Sequence, residues 1–589
     1  MTIKSIERNV AEAALVALSP WWARILPVVL LFTVAAIHAS RLPTLPLRGE
    51  ESRRGRIAIE MAESGDWIVP RQQGEPFLSR PPLQNWIIAL FGRFRGEVDL
   101  WAVRLPSVSA VVLAAILTYW YARRFLSPIG AFSAGLALAT FGQVLELGSL
   151  GETESLFMLV VAASILLWHG LRQTGYSPWI YWPLAYAMVS LGGLAKGIQS
   201  PVFFALAIGA FLLVQREWRE LFSAPHLIGG GLALAIVWGP WQVLFWRAEG
   251  WQAVRAIYGG DVAMRFEELN LLAVLSHLAV FPLEVFFGCL LPWSLLLLAL
   301  LSRSFRNVED GSRPYLVFLA IAVAATFPTC WLPPGARGRY FMPLYPCIAV
   351  LVGLVVERSA AALAGRPDGI GRNASAWRAF LKATAFAAIA ASAALPFAGL
   401  PAPFNLFQNP LLKFPVELLS LCVVFAAGAV PLAGAAYWAS RSDRTGSAVV
   451  GAASAGLFAA LVWNGPIVEW KRAMSEKNTA EAVEGVKRRL PAGAQFVSIG
   501  PTDHLFAFYY RDPIRLVRWD RIEDEQFEYF CYSTQFSESP PMTELPFSFE
   551  VLAVVSCERQ EMSDPKRVVV VARRRDEPKP TADETNASK

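Results

Sequence analysis

The chain has 589 residues, 55% hydrophobic and only 17% charged, with a mean hydropathy of +0.41. That balance is too apolar for an ordinary soluble protein. The net charge of +6 comes mostly from arginines in loops and gives no case for a nucleic-acid partner.

The apolar excess is gathered into runs of about 20 residues, the length that crosses a bilayer as a helix. Taken in chain order, the expected spans are 21–39, 105–122, 129–147, 153–170, 179–195, 198–214 and 226–246, then 276–301, 314–332, 340–357, 378–398, 415–438 and 447–464. Twenty-one tryptophans, often near run ends, suit interfacial belts. The fold class is therefore a polytopic α-helical membrane protein of about thirteen spans. No cleavable signal is evident between Met1 and Ala23.

Orientation follows from basic residues in short loops. Arg123 and Arg124, Arg172, Arg216 and Arg219, Arg358, and Arg441 and Arg444 fall in alternate loops, together with Lys4 and Arg8 before the first span. That set reads as cytoplasmic. An odd number of spans then puts the amino terminus inside and the tail outside. The first outer loop, residues 40–104, is rich in arginine but long enough to translocate regardless.

Within that loop "ESRRGRIAIEMAESG" has helical spacing, with Gly65 as a stop signal. "PLQNWIIALFGRF" reads as a second helix started by Pro81 and Pro82. Both are too short to span and are expected to lie along the interface. After residue 464 the pattern changes. A helix, "TAEAVEGVKRRL", is followed by the strand-like runs "AQFVSIG", "FAFYY", "FEVLAVVS" and "RVVVVAR". The reading divides the chain into a transmembrane domain, 1–464, an outer α/β domain, 465–575, and a disordered tail, 576–589. Of six cysteines, Cys531 and Cys557 share the polar tail, where an oxidising compartment allows them to pair.

The charged segment "LRGEESRRGR" crowds Glu50 and Glu51 among Arg48, Arg53, Arg54 and Arg56 just after the first span. It leads into the longer stretch "GEESRRGRIAIEMAESGDWIVPRQQGEPFLSRPPLQNW", which resembles the first outer loop of the bacterial lipid-to-lipid sugar transferases. These include the aminoarabinose transferase acting on lipid A, and they are distant relatives of protein O-mannosyltransferases with the membrane fold called GT-C. The matching positions are Glu50, Glu51, Arg53, Glu60, Met61, Ser64, Gly65, Asp66, Trp67, Pro70, Arg80, Pro81, Pro82 and Trp86. "GSLGETES", with Glu154 at the acidic position, "GGLAKG", with Lys196, and "RGRYFMPLYP", with Arg339 and Tyr340, continue the match in order. The chain departs from the family pattern at Glu50, where Asp is common, and at Arg80, where Lys is common.

The resemblance implies an enzyme that moves a sugar from a polyprenyl phosphate to a lipid A, envelope glycan or protein acceptor among membrane lipids. It implies catalytic carboxylates at Glu50, Glu154 and Glu51, with Glu50 as the base and Glu51 as a structural or orienting partner. Donor phosphate would fall to Arg80, Lys196, Arg265 and Arg339, with Tyr340 donating a hydrogen bond. The residue types fit that chemistry: a carboxylate among arginines stays ionised, and fixed cations stabilise charge developing on a phosphate leaving group. Each also has a plainer reading. Glu50 can simply pair with Arg53 or Arg54, Glu154 can be a helix N-terminal charge, and Arg80 can bind lipid headgroups. No cofactor is assigned and a divalent metal stays open, since no metal-like cluster stands in the sequence. The competing functions are a transporter or flippase of lipid-linked sugars and a non-catalytic envelope scaffold.

Overall fold

The computed structural model describes residues 20–45, 47–263, 270–301, 311–363, 371–399, 415–474, 478–534, 542–557 and 567–578. All thirteen expected spans overlap helices. Among the described residues eight helices are long and apolar enough to cross a membrane. A ninth forms if Pro225–Val237 and Gly239–Gly260, bent by 46°, make one broken span. Ala23–Ala39, Pro128–Ala139 and Gln199–Val214 are apolar but shorter, and Pro178–Lys196 covers the remaining expected segment.

The chain divides into two units. The first holds the spans and comprises residues 1–43, 78–84 and 104–470. Its turn around "GSLGETES" is tied down locally. Ser149 Oγ donates to the carbonyl of His38 at 2.8 Å, and Ser107 Oγ donates to that of Glu152 at 3.2 Å. Arg41 pairs with Glu469, and Asn464 Nδ2 donates to the carbonyl of Ile37 at 2.9 Å, so the ends of the first and last spans are joined.

The second unit comprises residues 44–77, 85–103 and 471–589, so most of the first outer loop folds with the tail. Its sheet runs β4-β3-β5-β7-β6. Here β3 (Phe496–Ile499) is parallel to β4 (Arg515–Val517) and to β5 (Tyr529–Ser533). β7 (Val568–Pro578) runs antiparallel to β5 and to β6 (Phe547–Ser556). Helix Thr479–Arg489 is capped by the Asn478 side chain, which accepts from Glu481 N.

Three expectations change. The run "FAFYY" lies in the helix His504–Tyr510, because Asp503 accepts from Leu505 N at 2.7 Å and starts a helical turn. A short run buried on all sides carries no periodicity to separate helix from strand. Helix Glu51–Ser64, ended as expected by Gly65, is more enclosed than a helix lying open along a surface: nine of its fourteen residues are buried. Ala58 and Ile59 pack with Ile88, Val103 and Phe508 in one apolar cluster. Finally, Cys531 and Cys557 lie buried in one apolar layer of the sheet and are not joined in a disulfide.

Candidate functional site

In the membrane-spanning unit the charged residues singled out from the sequence meet. Glu154 opens the span Glu154–Gln173, where a carboxylate faces the positive end of the helix dipole. Lys196 closes the helix Pro178–Lys196, the end at which a cation is favoured. Its position depends on Gly197, whose φ of +81° stops the helix in a conformation that side-chain-bearing residues rarely adopt.

Lys196 Nζ donates to Glu154 Oε1 at 3.1 Å, with both side chains buried. Arg339 Nε lies 3.8 Å from the same oxygen. The ammonium of Lys196 stands 4.9 Å above the Tyr340 ring and 5.5 Å from that of Phe157, and the guanidinium of Arg339 is 5.7 Å from Tyr340. Arg80, on segment 78–84 of the same unit, also acts on the Glu154 carboxylate, and Glu152 acts on Arg339. Among the described residues, Lys196, Arg339 and Arg80 are thus gathered around the Glu154 carboxylate, with Glu152 beside Arg339. Away from water such charges interact several-fold more strongly than in solvent. The arrangement suits one anion of low charge, such as a phosphodiester.

Glu50 and Glu51 belong to the second unit. Glu50 sits at the N-cap of Glu51–Ser64 and accepts from Arg53 at 2.5 Å, so the plainer reading of a paired carboxylate is realised. Its side chain keeps 34% of its surface open. Glu51 is fully buried and accepts from the backbone N–H of Arg48 at 2.9 Å, a structural use that holds the turn entering the helix. The guanidinium groups of Arg53 and Arg54 lie 5.6 and 5.5 Å from the Phe77 ring. Arg265 falls outside the described residues.

Sequence reasoning missed the residues that order this second cluster. Glu60 receives the N–H groups of Gln73 and Gly74 at 2.9 and 3.3 Å, shaping the hairpin of β1 (Arg71–Gln72) and β2 (Glu75–Pro76). Gln73 then donates to Ser498 Oγ at 2.7 Å and accepts from Thr502 N at 3.0 Å. Ser52 Oγ and His504 Nδ1 are 2.6 Å apart. Phe157 was also missed, although its place three residues after Glu154 puts both on one helix face. Among the described residues no three His, Cys, Asp or Glu side chains form a group able to hold a metal.

The family model of dolichyl-phosphate-mannose-protein mannosyltransferases matches residues 79–245. The undecaprenyl phosphate-α-4-amino-4-deoxy-L-arabinose arabinosyl transferase of Pseudomonas aeruginosa (strain LESB58) is 28% identical over 318 residues, covering 52% of this chain and 54% of that protein. The protein of the same name from Edwardsiella ictaluri is 29% identical over 323 residues, covering 52% and 55%. The chain thus spans about half the length of the curated relatives it matches. The crystal structure of ArnT from Cupriavidus metallidurans bound to undecaprenyl phosphate superposes with a TM-score of 0.69 at 19% identity, covering 94% of this chain and 98% of that one. The apo state of the same protein gives 0.65. The chain thus shares the fold of that structure over nearly its whole length, and Glu154 and Lys196 lie within the stretch that matches the mannosyltransferase family model.

Proposed function

We propose that the protein is an inverting glycosyltransferase that moves a sugar from a polyprenyl phosphate to lipid A or another envelope glycan. The reaction takes place on the outer face of a bacterial inner membrane, with the amino terminus cytoplasmic and the second unit periplasmic. The observation that carries this reading is the buried Glu154–Lys196 pair with Arg339 and Tyr340 around it. A lone cationic pocket would bind any anion at the membrane. Fixed cations held around a carboxylate suit a phosphodiester, and they stabilise the additional negative charge that forms as the phosphate leaves.

In the reaction the acceptor hydroxyl oxygen forms a bond to the anomeric carbon as the bond from that carbon to the phosphate oxygen breaks. The electron pair goes to the phosphate, where Lys196, Arg339 and Arg80 neutralise it, with Arg265 of the outer loops a further candidate for the same role. Tyr340 donates to a phosphate oxygen. A carboxylate must take the acceptor proton; of the candidates the sequence offers for that role, Glu50 has the half-open side chain and Glu51 the enclosed one. Glu154 keeps Lys196 and Arg339 in place and holds their charges together. Glu51 is structural.

Transfer from a radiolabelled undecaprenyl-phosphate sugar to lipid A in proteoliposomes tests the reading with the full chain. The parent should yield labelled glycolipid. Translocation of the labelled donor without transfer would make the protein a flippase instead, and inertness toward every polyprenyl-phosphate donor would leave a scaffold. Alkaline phosphatase fused after residue 589 should be active in cells, and an inactive fusion would invert the topology.

A further inference from the structure

The span Leu271–Cys289 carries Ser276, His277 and a single carboxylate, Glu284, among otherwise apolar residues. An acidic side chain in such a segment is costly, so a defined task is expected of it. Glu284 begins a widened helical turn, Glu284–Cys289, of the kind that often marks functional places in helices.

Its task is visible at Gly338. Glu284 Oε1 accepts from the Gly338 N–H at 3.0 Å, and Tyr345 Oη donates to the Gly338 carbonyl at 3.4 Å. A β-carbon on Gly338 would lie 2.5 Å from Cys289 Sγ and 2.9 Å from Glu284 Oε1, so the close approach requires glycine. Cys289 is itself fixed: its thiol donates to Gln143 Oε1 at 3.3 Å, and Gln143 Nε2 donates to Glu146 at 3.0 Å. Gly338 opens the tight turn Gly338–Leu344, whose next two residues are Arg339 and Tyr340. The N–H, Cα and carbonyl of one residue are thus held immediately before the pair that surrounds Lys196 and Glu154.

We propose that Glu284 is a positioning residue for the Arg339–Tyr340 turn, acting through the Gly338 N–H. The inference rests on the reading of the Arg339 cluster as the donor-phosphate site. The role needs an acceptor oxygen at that reach, and it does not need a charge. Glutamine supplies the oxygen, whereas alanine removes it.

The test compares the parent with Glu284→Gln, Glu284→Ala and Gly338→Ala in full-length protein in nanodiscs. Binding of undecaprenyl phosphate is measured beside the rate of tryptic cleavage after the exposed Arg337. Glu284→Gln should match the parent in both. Glu284→Ala and Gly338→Ala should weaken binding about tenfold, the size of one lost hydrogen bond, and should speed cleavage. Equal losses in Glu284→Gln and Glu284→Ala would overturn the proposal, because the charge itself would then be in use. So would an alanine variant that binds and resists trypsin like the parent. If undecaprenyl phosphate fails to bind even the parent, the phosphate-site reading falls, and the cleavage rates alone decide whether Glu284 holds the turn.

Discussion

The two units assemble their charges by different routes. In the second unit the cluster is local: Glu50 and Arg53 are three residues apart, Arg56 and Glu60 four, all on or capping one helix. In the membrane-spanning unit it is assembled from a distance. Lys196 reaches back 42 residues to Glu154, and Arg339 comes from a third span. Helical spacing brings charges together cheaply near water, where each pair adds little stability. Inside a bundle of spans each charge must be matched, since removing one partner leaves another stranded. The first cluster is thus open to solvent exchange, and the second is enclosed.

That difference can be broken most sharply at Glu50. Glu50→Gln should lower turnover by about a thousandfold, the usual share of a positioned base, while undecaprenyl phosphate binding stays at the parent level. Initial rates and a binding isotherm check this together, and a loss of binding instead of turnover would reverse the division of labour. Next in size, Lys196→Met strands the buried Glu154 and should cost about 3 kcal/mol in thermal unfolding, with donor binding weakened as well. Adding Glu154→Gln to that variant should recover much of the stability and none of the binding.

A smaller effect is expected at Gln73, which bonds through both ends of its amide to the sheet domain. Gln73→Ala should destabilise the second unit by about 1–2 kcal/mol, read as faster amide exchange in residues 51–64 and no change in the spans. Smallest is a prediction of inertness. Burial pushes the Cys531 thiol up to about 12, so the reactive thiolate is scarce at every pH below that value. Maleimide should leave Cys531 unlabelled at pH 8 and label it fully in denaturant, as peptide mapping would show. Native labelling would mean that this layer of the sheet opens.

Much of this architecture is written in local order. Apolar runs marked each span, Gly65 ended its helix, and the spacing of acidic and basic residues after the first span placed a charged helix there. The resemblance of three separated motifs singled out Glu154, Lys196, Arg339 and Tyr340, although nothing in their spacing says that they touch. Other features were illegible for definite reasons. The run "FAFYY" is buried on all sides, so its period is hidden and a single cap at Asp503 decides its form. Gln73 reads as an ordinary loop amide until the fold supplies Ser498 and Thr502 more than 400 residues away.

The sequence by itself determined where the chain turns apolar, where helices stop and which residue types carry charge, because hydropathy and capping act over a few residues. The tertiary structure alone decided which carboxylate is enclosed, which cation it meets and which glycine has no room for a side chain. Those outcomes depend on distances between segments far apart in the chain, and they are set only when the spans pack and water leaves.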